Sequence, residues 1–225
     1  MDTTVLRTVP LFWEMDEASL EELGGMLTET SLRRGESLFH EGDKGDRLYV
    51  ITEGKVKLSH TSDDGRENLL AVLGPGEIIG ELSLFDLGAR SSSVTAITPT
   101  HLFSLSHKDM SAFLETHPTL AMSMLREMAK RLRNTNENLA DLVFSDVPGR
   151  VAKALLDLAK RFGERTAEGM YVAHDLTQEE LAHLVGASRE TVNKSLADFV
   201  SRRWIRLEGR AVLLLEPGRL QRRAH

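Results

Sequence analysis

Gly80-Glu81-Leu82-Ser83-Leu84-Phe85, followed after four residues by Arg90-Ser91, is the stretch from which the rest of the chain is read. It places a glycine, a carboxylate, an arginine and several hydroxyls within a dozen residues. Glycine lets backbone approach a ligand closely because it has no Cβ. An ionised carboxylate accepts hydrogen bonds from a ribose hydroxyl. Arginine offers a planar fork that fits a phosphate bidentately. Successive backbone N–H groups in a tight turn form an anion-binding nest. A cyclic nucleotide needs that set of groups. In that reading Gly80 gives close approach and Glu81 takes the ribose hydroxyl. Leu82 and Ser83 offer backbone amides to the phosphate, Arg90 neutralises it, and Ser91 adds a hydroxyl.

Outward from this stretch, residues 30–106 alternate short apolar runs with glycines and other turn residues. Leu48-Tyr49-Val50-Ile51, Val56-Lys57-Leu58, Leu69-Leu70-Ala71-Val72-Leu73 and Val94-Thr95-Ala96-Ile97 read as strands of an antiparallel sandwich or jelly roll. Asp63-Asp64-Gly65 suits a hairpin tip. Residues 16–28 read as a short helix with Asp16 near its start.

The period changes at Pro118. Ala121, Leu125, Met128, Leu132, Thr135, Leu139 and Leu142 recur at alternating steps of four and three, a heptad seam that argues for a coiled-coil homodimer through residues 118–145. The alternative is an amphipathic helix packed on its own domain. Thr135, with Asn136 beside it, is the polar member of the seam. It either sets register or faces a ligand, with both side chains on a purine edge.

Asp146-Val147-Pro148-Gly149-Arg150 breaks this helix and caps another, which places a hinge and domain boundary there. Gly163 stops that second helix, and a turn or β segment follows at Gly169–Ala173. Thr177-Gln178-Glu179-Glu180 is a capping box. Leu181 and Leu184 face inward, Gly186-Ala187 turns, and Ser188 caps a further helix with Val192, Leu196 and Phe199 on its inner face. Two short helices about a glycine turn make a helix-turn-helix. Arg189, Glu190 and Lys194 occupy the first two turns of the second helix, where base edges are read. Ser188, Thr191 and Thr177 have hydroxyls that suit phosphate contacts at helix N-termini, and Gln178 is counted among the DNA-binding residues. Trp204 to Leu207 and Val212 to Leu215, about Glu208-Gly209-Arg210, form a hairpin wing. Its Arg206 and Arg210, with Arg202 and Arg203 just before it, are placed to meet DNA backbone.

GDRLYVITEGKVKL, DGRENLLAVLGPGE, FSDVPGRVAK, HDLTQEELAHLVGASRETVNK and RWIRLEG resemble, nearly end to end, the CRP–FNR family of bacterial transcription regulators, closest to its actinobacterial, GlxR-like branch. The resemblance implies an α+β chain in three parts. Residues 1–117 are a cyclic-nucleotide-binding jelly roll, 118–145 the dimerisation helix and hinge, and 146–225 a winged helix-turn-helix on double-stranded DNA. It also implies cAMP as effector, base contacts from Thr135 and Asn136, a TGTGA-like palindrome and a contact with RNA polymerase. Asn136 stands where the family's familiar pattern has serine, and Lys194 where it has arginine.

Composition bounds the rest. With no cysteine, the chain has no disulfide, no thiolate zinc site and no cysteine-ligated iron–sulfur cluster. No histidine pair sits at metal-ligand spacing with a carboxylate, so neither metal nor haem is expected. No apolar run approaches the ~20 residues of a membrane span, and no signal-peptide core opens the chain. A cytoplasmic protein is the simplest reading. The net charge of −6 hides a division. Residues 1–145 carry 14 Lys and Arg against 23 Asp and Glu, net −9, whereas residues 146–225 carry 14 against 11, net +3. The basic half fits a nucleic-acid partner. His174-Asp175, with Ser188 further on, is not a hydrolase set; His174 reads as a surface or capping residue, and no enzyme activity is expected.

Overall fold

The computed structural model describes residues 6–62, 67–86 and 88–224. The expected hairpin tip at Asp63-Asp64-Gly65 lies outside them. The chain forms two compact units, Met1–Arg66 with Leu70–Arg133, and Glu67–Leu69 with Asn134–His225.

In the first unit, α1 (Glu17–Met26) opens at Asp16, whose carboxylate accepts from the Ser19 amide at 2.8 Å. The strands β1 (Thr28–Leu32), β2 (Ser37–Phe39), β3 (Arg47–Glu53), β4 (Val56–Thr61), β5 (Glu67–Leu73) and β6 (Ile78–Ile79) follow. A single short helix, α2 (Leu82–Asp86), precedes β7 (Ser93–Ala96) and β8 (Thr100–Ser106). Then come α3 (His107–Thr116) and the long α4 (Pro118–Phe144).

The strands pair into two sheets, β1-β8-β3-β6 and β2-β7-β4-β5, with antiparallel registers such as Leu48↔Leu105 and Leu58↔Val94. The expected jelly roll is therefore present. Side chains alternate across a strand, and β3 shows what that accomplishes. Ile51 packs with Val56, Leu73, Ile79, Val94 and Leu102 between the sheets. Leu48 and Val50 face the other way, onto Leu20, Leu23, Met110, Phe113, Leu120 and Met124 of the helices. α4 thus spends Leu120 and Met124 on its own domain, while Leu125, Leu132 and Leu139 of the heptad seam stay exposed.

In the second unit, the end of α4 leads into α5 (Val147–Phe162), β9 (Gly163–Arg165), β10 (Met170–Ala173), α6 (Gln178–Leu184), α7 (Arg189–Ser201), β11 (Ile205–Glu208), β12 (Ala211–Leu214) and α8 (Pro217–Arg223). The wing is broader than a hairpin. It is the edge of a four-stranded sheet, β11-β12-β10-β9. The expected caps are in place. The Asp146 carboxylate accepts from the Gly149 amide at 2.9 Å, and Gly163 closes α5 by donating to the Ala159 carbonyl. The Thr177–Glu180 capping box is reciprocal, at 3.1 and 2.8 Å. Gly186, at φ +62, turns between α6 and α7, and Val192, Leu196 and Phe199 are buried beneath α7.

Of the two roles expected for His174, surface or capping residue, it takes the capping one. It is buried, and its Nδ1 accepts from the Leu176 amide at 3.1 Å. The backbone just ahead of α6 needs an acceptor, and the imidazole supplies it from inside the core rather than from the surface.

The turn between β3 and β4 gives a test. Gly54 adopts φ +83, and a Cβ there would overlap the Pro99 carbonyl; Gly35 adopts φ +81 with nothing near it. Gly35→Ala therefore meets only backbone strain, about 1 kcal/mol. Gly54→Ala adds a clash with backbone that cannot yield, and is expected to lose more than about 2 kcal/mol in urea unfolding. Equal losses would contradict the packing described for this turn.

Candidate ligand site and nucleic-acid interface

Arg90 is a buried cation, 5% exposed, and its neighbours are neutral. Nη2 donates to the Arg47 carbonyl at 2.8 Å, and Nη1 to Ser83 Oγ at 3.2 Å and to the Gly80 carbonyl at 3.4 Å. The guanidinium lies over the Phe39 ring, 4.1 Å from its centroid. The backbone is held as well: the Arg90 amide donates to the Asp43 carbonyl at 2.8 Å, and the Gly42 amide to the Arg90 carbonyl at 2.9 Å. Burial lowers the pKa of Arg90, opposed by Tyr49, Asp46, Asp43 and Glu81 acting at a distance. Nε is buried without a hydrogen-bond partner. A fixed, desolvated guanidinium with donor capacity left is suited to an anion.

The rest of the motif converges on it. Gly80 sits at φ +81, and a Cβ there would overlap Arg90 Nη1, so only glycine leaves room for the arginine. Ser83 donates to the Gly80 carbonyl at 3.1 Å while accepting from Arg90. Leu82 and Ser83 open α2, at positions whose amides no intrahelical carbonyl can reach. Ser91 is exposed beside the buried Ser92. Glycine, hydroxyl, helix-start amides and arginine thus form one cassette whose donors fit a phosphate.

Glu81 is buried, and its Oε1 accepts from Arg131 Nη1 on α4. Arg131 Nη2 donates to the Ile78 carbonyl at 3.0 Å. Ile78, Glu81, Met124, Glu127, Met128 and Arg131 line a narrow crevice there. Sequence reasoning missed Arg131, which lies fifty positions from its partner. It also missed His107. This buried imidazole has an unpartnered Nε2. Its pKa is lowered mainly by burial and further by the charge of Arg90, against the Gly80 and Arg47 carbonyls and Asp46. Thr135 and Asn136 are exposed on the part of α4 that belongs to the second unit.

On α7, Ser188 Oγ accepts from the Thr191 amide at 3.2 Å and lies 2.9 Å from Thr191 Oγ1. Arg189 is exposed, and Glu190 and Lys194 pair at 2.7 Å with both side chains about three-quarters exposed. Such a pair is weak, so either group is available to DNA at little cost. Thr177 and Gln178 flank the start of α6. Two of the arginines in and just before the wing also form surface ion pairs. Arg206 donates to Glu168 at 2.7 Å and to Glu208 at 2.8 Å, which pushes its pKa up. Arg202 donates to Asp198 at 2.8 Å. Trp204 is half-buried and stacks on the buried Phe199 with centroids 5.5 Å apart, while Arg202 lies over its ring. No group of three metal-ligating side chains occurs among the described residues, and no helix there is long and apolar enough to cross a membrane.

Residues 29–117 match the cyclic nucleotide-binding domain, and residues 149–223 the Crp-like helix-turn-helix domain. The chain is 50% identical over 220 residues to a CRP-like cAMP-activated global transcriptional regulator of Mycobacterium tuberculosis, covering 98% of each. Among solved structures it resembles the Thermus thermophilus catabolite activator protein, with TM-score 0.55, 34% identity, and 96% of this chain and 98% of that one covered. It also resembles the c-di-GMP-responsive regulator CLP of Xanthomonas campestris, with TM-score 0.75, 26% identity, and 88% and 99% covered.

Two outcomes follow from the cassette. Arg131→Ala leaves a buried carboxylate without its partner, and is expected to cost about 1–3 kcal/mol in urea unfolding, discounted because Arg131 is partly exposed. Adding Glu81→Gln should recover part of that loss. A double variant less stable than Arg131→Ala would contradict the pairing. For His107, a lowered folded-state pKa means that acid charges the unfolded chain first. Its contribution is whole above the ordinary histidine value of 6.5 and is lost as pH falls below it. His107→Gln should therefore flatten the decline in stability from pH 7 to pH 5 in melts; an unchanged slope would refute this.

Proposed function

The chain belongs to the CRP–FNR family of bacterial transcription regulators, and we propose that it is a cAMP-responsive, sequence-specific DNA-binding regulator acting as a homodimer. The observation that carries this is the Arg90 cassette, a buried guanidinium with an unpartnered Nε, in the same chain as an exposed recognition helix. The donors of the cassette suit the anion of cAMP, whose phosphate is assigned to Arg90, Ser91 and the amides of Leu82 and Ser83. Its ribose hydroxyl is assigned to Glu81, which Arg131 already orients. The assignment of the base to Thr135 and Asn136 rests on family resemblance alone. The regulator named from Mycobacterium tuberculosis, half identical over nearly the whole chain, supports cAMP as effector.

On DNA, Arg189 is assigned to guanine N7 and O6 and Glu190 to cytosine N4. Lys194 and Gln178 stand beside them, and Thr177, Ser188 and Thr191 are assigned to phosphates. The palindrome is TGTGA-like, and the dimer forms through residues 118–145. The exposed seam of Leu125, Leu132 and Leu139 supports that dimer. RNA polymerase is the expected partner and the cytoplasm the expected compartment. Ligand acts by shifting population toward the arrangement that sets the two recognition helices about one DNA turn apart. No catalytic role is assigned.

A second reading keeps the DNA function and changes the effector. It is favoured by the likeness to a regulator described as responding to c-di-GMP.

Calorimetry with cAMP, cGMP and c-di-GMP separates the two. The first reading expects cAMP to bind, and Arg90→Leu to weaken it at least tenfold, about 1.4 kcal/mol or more. Binding of c-di-GMP alone transfers the site to the second reading, and unchanged cAMP affinity in the variant removes Arg90 from it. DNA affinity should fall steeply with salt.

A further inference from the structure

We infer that Arg150 is a positioning residue that locks the α4–α5 hinge to the turn of the helix-turn-helix, so that the recognition helix follows the end of α4. Its three guanidinium nitrogens have three separate acceptors. Nη1 donates to the Ser145 carbonyl at 2.7 Å, Nε to the Val185 carbonyl at 2.8 Å, and Nη2 to the Gly186 carbonyl at 3.2 Å. Ser145 follows the last residue of α4, Val185 is the C-cap of α6, and Gly186 begins the turn into α7. Carbonyls at helix C-termini have no intrahelical donors and carry the negative end of the dipole. One cation therefore caps two helices, α4 and α6, at the breaks that open α5 and α7.

Neighbouring contacts make the lock a block. Lys153 on α5 pairs with Asp141 on α4. A Cβ on Gly186 would press against Leu142 Cδ2, so the last seam residue already covers the turn. Asp146 accepts from Arg223 Nη2 at 2.6 Å, which fastens the hinge to α8. A hinge that bends here must break a charge-assisted hydrogen bond or carry the turn with it. Lysine could not replace Arg150, because a point donor does not span three carbonyls that a planar fork reaches together.

This inference rests on the DNA-binding reading of α7, and its test has one arm that does not. The full-length chain, Arg150→Leu and Arg150→Lys are compared by hydrogen exchange and by binding to a TGTGA-type palindrome and a scrambled duplex. The lock predicts that exchange accelerates together at the hinge (143–147) and at the turn (183–188), with β10 unchanged. It also predicts that the ratio of palindrome to scrambled affinity falls by about tenfold in the leucine variant and less in the lysine variant. Loss of general stability would not change that ratio. The lysine variant keeps the charge, so the exchange arm survives if the leucine variant does not fold. Acceleration at the turn with an unchanged hinge, or a full ratio in Arg150→Leu, overturns the inference. If the unaltered chain itself fails to distinguish the duplexes, the DNA reading falls and exchange alone decides the lock.

Discussion

A guanidinium is placed inside the first unit with aromatic rings and carbonyl oxygens around it, and among the described residues no carboxylate forms an ion pair with it. Burying an uncompensated cation is costly, and Arg90 offsets that cost through the Arg47 and Gly80 carbonyls, Ser83 Oγ and the Phe39 face. Those partners fix the cassette. Gly80 must be glycine to admit the arginine, and α2 must begin where it does to bring Ser83 within reach. The loop at 42–44 must meet the backbone of Arg90. Desolvation leaves the fixed cation ready for an anion, and the shape of the site follows from that one residue.

The second unit is organised by caps instead of a buried charge. Asp146, Thr177 and Ser188 each satisfy the first free amides of a helix. His174 and Arg150 do comparable work from the inside, one for backbone entering α6 and the other for carbonyls leaving α4 and α6. The recognition helix can therefore carry exposed, weakly paired charges, because its position depends on groups behind it. The division of charge, net −9 before residue 146 and net +3 from there on, matches a split between the ligand-holding and DNA-reading parts of the chain.

Much of this was legible in the sequence, and the reason is locality. Capping residues sit within three or four positions of the amides they serve, so Asp16, Asp146, Thr177 and Ser188 could be read directly. The glycine-punctuated strands and the heptad period of α4 were equally visible. What the sequence hid depends on distant pairs. Arg131 meets Glu81 across fifty positions, and Arg150 meets Val185 across thirty-five. His107 became part of the site only because β3 and β8 are neighbours. For His174 a surface and a capping role stayed open, because its short segment carries no periodic signal. The Arg206–Glu168 pair was hidden in the same way, its members lying 38 positions apart.

Linkage between ligand at the Arg90 cassette and DNA at α7 is measured by titrating cAMP into the chain alone and into its complex with a TGTGA-type palindrome. Linkage requires cAMP to bind the complex more tightly by the same factor by which it raises DNA affinity. That result is the one predicted; identical cAMP affinity for the free and the DNA-bound chain would contradict the account.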